Sequence, residues 1–233
     1  MLAGRSAVRA VLTSGACASS LAVTVFGAPG SGKGTIAGWM SEEHELAHVS
    51  TGDLLRDALG DAEFVASEKG KAIKATIEAG NLVGDDTILD LVEPIVGEKD
   101  RLILDGFPRN IHQAKALDAM RRIDYCLDID VPADEIVARL SARRVHPGSG
   151  RIYHLTFSPP KEEGLDDLTG EPLVQRQDDK EDVIRNRLEK FNDLKAPLLE
   201  YYAVDNRVIS VAGTESKVIY PALVEALTTL KAL

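Results

Sequence analysis

The sequence has little cysteine and no long hydrophobic segment, and these two absences exclude several classes of protein. The two cysteines, Cys17 and Cys126, are far apart and lack metal-ligand spacing, so neither a disulfide framework nor a cysteine metal centre is predicted. No uninterrupted apolar stretch is long enough to cross a bilayer, which argues against a membrane partner. The formal net charge is −10, which argues against a nucleic-acid partner because such a partner requires a basic surface.

The N-terminal segment has no acidic residue, since the first in the chain is Glu42. Within residues 1–20, Arg5 and Arg9 stand among Ala, Ser, Val and Leu, a composition typical of a mitochondrial transit segment. The alternatives are a secretory signal with a small-residue site at residues 16–18 and an extension with no targeting role. We therefore expect a mitochondrial location, with the cytoplasm as the alternative, and a fold that begins after residue 20.

A glycine-rich stretch lies between a predicted strand and a predicted helix. The apolar residues 21–26 predict a buried parallel strand, and residues 27–35 follow with the sequence GAPGSGKGT. Glycines let backbone N–H groups close around phosphate oxygens, and a helix N-terminus adds partial positive charge. Lys33 can reach the β- and γ-phosphates of a nucleotide. Gly34 follows the lysine, so the hydroxyl of the general phosphate-loop pattern comes one residue later, at Thr35.

The rest of the chain alternates between predicted strands and predicted helices. Strands are predicted at 47–50, 101–105, 125–129 and 208–211, and helices include 31–43, one starting at Thr51 with that residue as its cap, 63–79, 85–96 and 180–203. The alternation predicts an α/β fold of the P-loop NTPase type, a parallel sheet with helices on both faces and a nucleotide at the carboxyl ends of the strands. Residues 144–179 interrupt the pattern with prolines and glycines, as an inserted lid would.

Six arginines are placed where an anion site would need them. They are Arg56, Arg109, Arg139, Arg143, Arg176 and Arg187. Each alone is most simply explained as a solvated surface residue. Together, in an acidic chain and beside a phosphate loop, they indicate two polyphosphates that face each other. Transfer of a phosphoryl group between such anions depends mostly on positioning and charge neutralisation.

Several motifs together resemble those of the long-lid adenylate kinases. They are residues 27–35, 50–56 (STGDLLR), 104–109 (LDGFPR), 143–153 (RRVHPGSGRIY) and 166–171 (DDLTGE). The resemblance implies a kinase core over 21–233, with an AMP-binding helical lobe at 50–80 and a lid at 143–180. It also implies a monomer that transfers a phosphoryl group reversibly from ATP to AMP, giving two ADP, with Mg²⁺ as the cofactor. The partners are then ATP or GTP, AMP and ADP.

The resemblance also implies a role for each site residue. The donor nucleotide would be held by Gly30, Ser31, Gly32, Lys33, Gly34, Thr35, Arg139, Arg143, Tyr153 and Glu215. AMP would be held by Thr51, Arg56, Asn81, Val83, Gly106, Arg109, Gln113, Arg176 and Arg187. Catalysis would rest on Lys33, Arg109, Arg143, Arg176, Arg187 and Asp105. Asp105 would orient magnesium through water, Gln113 would meet the adenine edge, Tyr153 would lie near the donor base, and no side chain would act as a covalent nucleophile.

Four lid positions correspond to the paired cysteines with which some relatives bind zinc. Here they hold His146, Ser149, Asp166 and Thr169. Serine and threonine hydroxyls are poor zinc ligands. We therefore predict that these four side chains hydrogen-bond one another and that the lid binds no metal.

The chain departs from the family pattern at four further positions. Asn81 stands where relatives often have lysine, and Asn110 and His112 replace the commoner Thr and Pro. Glu215 stands where some relatives place a lysine near the donor base, which leaves the donor preference open.

Other functions fit the sequence in part. Residues 53–57 and 166–175 are similar to the mitochondrial GTP:AMP phosphotransferase branch. A UMP/CMP kinase is less favoured, because those relatives resemble the short-lid form. A GTPase-like switch would need an Asn-Lys-x-Asp element, which the sequence lacks. A catalytically inactive nucleotide-binding module would be expected to lose Lys33 or one of the arginines.

Overall fold

The computed structural model describes residues 8–9 and 20–233. The strands are β1 Val8–Arg9, β2 Leu21–Gly27, β3 Ala47–Ser50, β4 Arg101–Asp105, β5 Tyr125–Asp130, β6 Arg143–Val145, β7 Ile152–His154 and β8 Val208–Ala212. The helices are α1 Lys33–His44, α2 Thr51–Gly60, α3 Ala62–Ala66, α4 Glu68–Glu78, α5 Asp85–Val96, α6 Ile111–Met120, α7 Ala133–Ser141, α8 Glu181–Ala203 and α9 Ser216–Thr229. A 3₁₀ turn, Gln177–Asp179, precedes α8.

The main sheet has the strand order β1-β8-β5-β2-β4-β3. β2 pairs in parallel with β4 and β5, and β3 and β8 continue the parallel pairing on either side. The prediction of a parallel α/β sheet is therefore confirmed. No helix in residues 20–233 is long and apolar enough to span a bilayer.

β1 is the antiparallel exception, with Val8 opposite Val211 on β8. The kinase core predicted over 21–233 did not include this pairing. The pairing joins backbone groups that almost every residue carries. The sequence therefore contains no pattern of residue types that would predict this strand. Apart from these two positions and Ser20, the predicted transit segment lies outside the described residues.

Alternate side chains of β2 face opposite sides of the sheet and build a core on each. Val23 and Val25 belong to a buried cluster with residues of α1, α7 and α9. Ala22 and Phe26 belong to a second cluster with residues of α2, α5 and α6. Because helices cover both faces, every side chain of β2 is buried, and the strand reads as a continuous apolar run rather than an alternating one.

The predicted helix 63–79 is interrupted at Ser67. This residue is extended, with φ −69° and ψ 157°, and its Oγ accepts a hydrogen bond from the Gly70 N–H at 3.0 Å. Ser67 therefore caps α4, and the segment divides into α3 and α4. Serine at an N-cap competes with helix continuation through this side-chain bond.

Ser50, and not Thr51 as predicted, caps α2. The Ser50 Oγ accepts from the Asp53 N–H at 3.3 Å. The Thr51 hydroxyl instead donates to the Gly106 carbonyl at 3.1 Å. This bond ties the start of α2 to the turn that follows β4, where the sequence predicts part of the nucleotide site.

Residues 143–180 form a hairpin and turns outside the main sheet. β6 and β7 pair antiparallel, and Val174 returns beside Val145 through two backbone hydrogen bonds of 2.8 and 2.9 Å. The insertion therefore has its own backbone pairing. Its role as a lid stays a prediction.

Candidate nucleotide-binding site

Three parallel strands end at the same edge of the sheet. Val25 near the end of β2 and Ser50 at the end of β3 both pair with Asp105, the last residue of β4. The glycine loop, the start of α2 and the turn at Gly106 therefore meet there. This is the edge at which open parallel sheets bind ligands.

The glycine loop follows a backbone path that requires glycine. Gly30 and Gly32 have φ values of +80° and +91°, in the left-handed region that glycine adopts without strain. A Cβ on Gly30 would lie 2.8 Å from Leu140 Cγ, and one on Gly32 would clash with Ser216 Oγ. The ends of α7 and α9 thus close on the loop, and Glu215, just before α9, lies beside it with its carboxylate 2.9 Å from Lys217 Nζ.

Lys33 and Ser31 present polar groups inside the loop. The Lys33 ammonium donates to the carbonyls of Gly27 and Ala28, each at 2.8 Å. Desolvation lowers the pKa of Lys33 to about 8, although the nearby Asp105 opposes the shift. The Ser31 hydroxyl is buried without a hydrogen-bond partner among the described residues. A buried polar group of this kind is normally satisfied by a ligand or water.

The Asp105 carboxylate lies against the start of α1. A Cβ on Gly34 would be 3.2 Å from Asp105 Oδ2, closer than side chains normally approach. This contact disfavours a side chain at the residue that follows the lysine. The hydroxyl comes one residue later at Thr35, which is exposed. His48 Nε2 lies 3.9 Å from the same carboxylate oxygen, a neighbour that the sequence did not indicate.

A cavity opens beside the glycine loop, between α2, α4, α5 and α8. Its apolar wall includes Leu55, Ile77, Val83, Ile88 and Phe191. Its polar groups include Lys33, Arg56, Arg109, Gln113, Asp178 and Arg187, with Gly106 and Asn81 also on its surface. A pocket lined by both apolar side chains and cations can hold a flat ring together with an anion.

Gln113 is held inside this cavity by hydrogen bonds at both ends of its amide. Its Oε1 accepts from the Arg109 N–H at 2.7 Å, and its Nε2 donates to Asp85 Oδ1 at 2.7 Å. The Asn110 side chain caps α6 by accepting from the Gln113 N–H at 2.9 Å. The turn after Arg109 is therefore built from Asn110, one of the residues that depart from the family pattern.

Five of the six arginines have hydrogen-bond partners in the described part of the chain. Arg143 binds Asp179, Arg187 binds Asp178, Arg139 binds Glu135, Arg56 binds Asp53, and Arg109 Nε donates to the Gly106 carbonyl at 2.8 Å. The Arg176 guanidinium has no such partner among residues 20–233, although the Arg176 carbonyl accepts from the Asp179 N–H at 3.1 Å. Burial, together with the like charges of Arg56 and Arg143, lowers the pKa of Arg176 to about 10. The cluster is thus a concentration of positive charge that an anion would stabilise.

The four residues at the zinc positions of relatives are joined by hydrogen bonds. His146 Nδ1 lies 2.7 Å from Ser149 Oγ, His146 Nε2 lies 3.3 Å from Thr169 Oγ1, and Thr169 Oγ1 donates to Asp166 Oδ2 at 3.0 Å. Glu171 adds a contact that the prediction did not include, 2.6 Å from His146 Nε2.

Two further side chains complete this lid network. The Arg151 guanidinium donates to both oxygens of Asp166, at 2.7 and 2.6 Å, and these bonds hold the pKa of Asp166 far below its usual range. The Tyr153 hydroxyl donates to Asp166 Oδ1 at 2.9 Å. Tyr153 is only 7% exposed, so it packs within the insertion, and its role at the donor base stays a prediction.

Comparison with known proteins agrees with this geometry. The family model for adenylate kinase matches residues 25–207, which is most of the chain. The chain belongs to the adenylate kinase family. An adenylate kinase of Chloroherpeton thalassium (strain ATCC 35110 / GB-78) is 44% identical over 203 residues, covering 83% of this chain and 91% of that protein. Membership of the adenylate kinase family makes the chain a phosphotransferase of the nucleoside monophosphate kinase class.

The structure adds residues that sequence reasoning about adenylate kinases missed. Asp179 holds Arg143 and Asp178 holds Arg187. The only sequence feature that could have indicated these roles was the presence of two acidic residues close to Arg176. Phe191 lines the cavity, and its signal was its position four residues after Arg187, on the same helix face. Asp85, the partner of Gln113, had no sequence signal beyond its place at a helix start.

Proposed function

We propose that this chain transfers the terminal phosphoryl group of ATP reversibly to AMP, giving two ADP, with Mg²⁺ accompanying the nucleotide. One observation carries the proposal, a cavity that Lys33, Arg109 and Arg187 line together with apolar residues and with Gly27 and Pro29 of the glycine loop. The whole chain has a net charge of −10, so a local concentration of cations at this edge serves a specific anionic ligand.

In this proposal the chain positions two nucleotides and supplies charge. The glycine loop and Lys33 hold the donor phosphates, while Arg56 and Arg109 hold the AMP phosphate. An oxygen of the AMP phosphate attacks the terminal phosphorus of ATP, and the bond from that phosphorus to the bridging oxygen of ADP breaks. Lys33, Arg143 and Arg187 neutralise the charge on the transferring group, so no covalent enzyme intermediate forms.

The residues at the end of β4 and in the first turn of α1 fit a magnesium ion. The Asp105 carboxylate and the Thr35 hydroxyl are oxygen donors of the kind that Mg²⁺ prefers, and they would hold it through water. Asp105 lies beside Gly34 at the start of α1, next to the lysine that would contact the phosphates. When bound with the nucleotide, the ion would supply charge neutralisation at the phosphate oxygens.

Residues 143–180 are proposed to close over the bound nucleotides. Arg143 begins this segment and Arg176 lies near its end, so closure would bring both cations to the donor side and exclude water. Hydrogen exchange of this segment, measured with and without a bisubstrate dinucleotide, tests the idea. Protection should increase when both subsites are filled, and unchanged exchange would exclude a lid role.

The reaction is tested by initial rates with AMP as acceptor and ATP, GTP or ITP as donor at equal concentrations. Formation of ADP from ATP and AMP, lost in Lys33→Met, supports the proposal. Preference for GTP would favour the second candidate, a GTP:AMP phosphotransferase of the mitochondrial matrix, which the resemblance of residues 53–57 and 166–175 to that branch supports. No transfer from any donor would contradict both and leave a nucleotide-binding module.

The proposed acceptor subsite is tested separately with Arg109→Ala. Arg109 lines the cavity, and its Nε donates to the Gly106 carbonyl in the turn that follows β4. The KM for AMP should therefore rise more than the KM for ATP. An equal rise in both would be inconsistent with the assignment of this arginine to AMP.

The proposed location and assembly depend on fewer observations. The composition of residues 1–20 supports a mitochondrial destination, with the cytoplasm as the alternative. Comparing fluorescent fusions with and without these residues distinguishes the two. The proposed monomer is tested by light scattering of the full chain.

A further inference from the structure

The amide of Gln113 can adopt only one of its two orientations in this site. Its Oε1 accepts the backbone N–H of Arg109 and its Nε2 donates to the Asp85 carboxylate, both at 2.7 Å. A rotation by half a turn would place NH₂ against the N–H of Arg109 and oxygen against the carboxylate. Because Gln113 is only 1% exposed, solvent would compensate little for either mismatch.

Asp85 is itself fixed by further donors. Its Oδ1 also accepts from Asn110 Nδ2 at 2.9 Å, and its Oδ2 lies 3.1 Å from His112 Nδ1. Asp85 is the first residue of α5, while Asn110 caps α6. The Asp85 carboxylate therefore links the Gln113 amide to the N-terminal ends of α5 and α6.

We propose that Asp85 is a positioning residue that determines which purine the acceptor nucleotide carries, because it sets the orientation of the Gln113 amide. The inference rests on the proposed function, in which Gln113 faces the acceptor base in the cavity that Val83 and Ile88 also line. The amide retains one oxygen lone pair to accept with and one N–H to donate. In this proposal both are directed at the acceptor base, since Arg109 and Asp85 use the other lone pair and the other N–H.

The remaining lone pair and N–H match adenine and oppose hypoxanthine. Adenine presents an amino donor at position 6 and an unprotonated ring nitrogen at position 1. Hypoxanthine presents an oxo acceptor and an N–H donor at these two places, so IMP inverts the pattern on a ring of the same shape. IMP could pair with Gln113 only if the amide turned over, which Asp85 and the Arg109 N–H oppose. Asp85 thus acts against IMP through Gln113.

The test is the ratio of kcat/KM for AMP to that for IMP, measured with saturating ATP in wild type and Asp85→Asn. An asparagine can present either its oxygen or its NH₂ to Gln113, so that only the Arg109 N–H still opposes the inverted amide. We expect the ratio to fall by a factor of about 10 or more, the loss typical of one mispaired buried polar group. The fall should come from the KM for AMP and from better use of IMP, with kcat for AMP nearly unchanged.

Asp86→Asn is the matched control. Asp86 is the next residue of the same helix turn and is exposed, so its substitution removes the same charge from the helix start without touching Gln113. Its AMP to IMP ratio should equal that of wild type. If both variants lowered the ratio equally, the effect would be the loss of helix charge and the inference would be wrong.

A second variant keeps the test valid should Asp85→Asn fold poorly by circular dichroism. Asn110→Ser retains a capping oxygen and removes one of the donors that hold Asp85, so a smaller fall in the same ratio is expected. A wild-type ratio in the folded variants would overturn the role of Asp85 and leave the proposed function intact. Failure of the wild type to phosphorylate AMP would overturn both.

Discussion

Asp179 accepts two hydrogen bonds from the guanidinium group of Arg143, from Nε to Oδ2 at 2.8 Å and from Nη2 to Oδ1 at 2.5 Å. The Asp179 side chain is fully buried, whereas Arg143 is 15% exposed. The pair joins the first residue of β6 to the turn that precedes α8. Since a bidentate pair fixes both direction and distance, Asp179 holds an arginine that would face the donor.

Asp179→Asn should therefore lower both stability and kcat. The asparagine keeps the shape but turns one acceptor into a donor that faces the guanidinium, which should reduce the free energy of unfolding by about 1–3 kcal/mol. Urea unfolding and steady-state kinetics measure the two effects. Asp182→Asn, an exposed position in the first turn of α8, is the control and should change neither. Wild-type values in Asp179→Asn would show that the pair does not position Arg143.

Lys33→Met should reduce kcat by a factor of about 10³ while leaving the fold intact, because the ammonium group neutralises charge that develops during transfer. The methionine retains a chain of similar length. Lys115→Met, at an exposed position on α6, is the matched control and should keep wild-type turnover. Undiminished turnover in Lys33→Met would rule out the phosphate role of this residue.

The activity of the free enzyme should fall as the pH rises through about 8. Desolvation lowers the pKa of Lys33 to about 8, so the side chain is charged below this pH and neutral above it. The pH profile of kcat/KM for ATP, which reports groups of the free enzyme, should show this inflection. A flat profile up to pH 10 would exclude it.

The contribution of Lys33 to the free energy of unfolding should rise with pH, whereas the activity should fall. The pKa of Lys33 is lower in the folded protein than in the unfolded chain, so the unfolded state binds more protons between the two values. The free energy of unfolding contributed by this group therefore rises as pH increases from about 8 to about 10.4. The difference between wild type and Lys33→Met across this range measures it, and it separates loss of activity from alkaline unfolding.

Asp166→Asn should loosen the inserted segment. The two hydrogen bonds from Arg151 hold the pKa of Asp166 far below its usual range. The stability that the carboxylate contributes is therefore present above its unfolded pKa of about 4 and is lost only as pH falls below that value. Hydrogen exchange at pH 7 should accelerate within residues 145–174 of the variant. The exposed Glu163→Gln should exchange as wild type does, and equal rates in all three proteins would argue against a structural role for Asp166.

Much of the site follows from short stretches of sequence. The strand Leu21–Gly27 and its glycine loop could be predicted because burial on both faces and left-handed backbone each leave a local pattern of residue types. Asp105 could be placed at the nucleotide edge because the end of a parallel strand is a local property as well. The parallel sheet followed from the alternation of strands and helices.

Where the helix boundaries differ from those predicted, the cause is a competing local hydrogen bond. Ser67 interrupts a helical pattern because its Oγ binds the Gly70 N–H, and Ser50 takes the cap that Thr51 was expected to provide. Both residues of the second pair can cap a helix, so side-chain identity could not choose between them. The edge strand Val8–Arg9 pairs with β8 through its backbone, and backbone groups leave no pattern of residue types in the sequence.

The partners of the site residues were decided only by the tertiary structure. Arg143 and Asp179 are 36 positions apart, and Gln113 and Asp85 are 28 apart. Sequence by itself determined that the chain carries a phosphate loop, a parallel sheet and a set of arginines, because these depend on periodicity and backbone conformation within a few residues. Which carboxylate holds each arginine, and which way the Gln113 amide faces, depends on contacts between distant segments that exist only once the sheet and helices have packed.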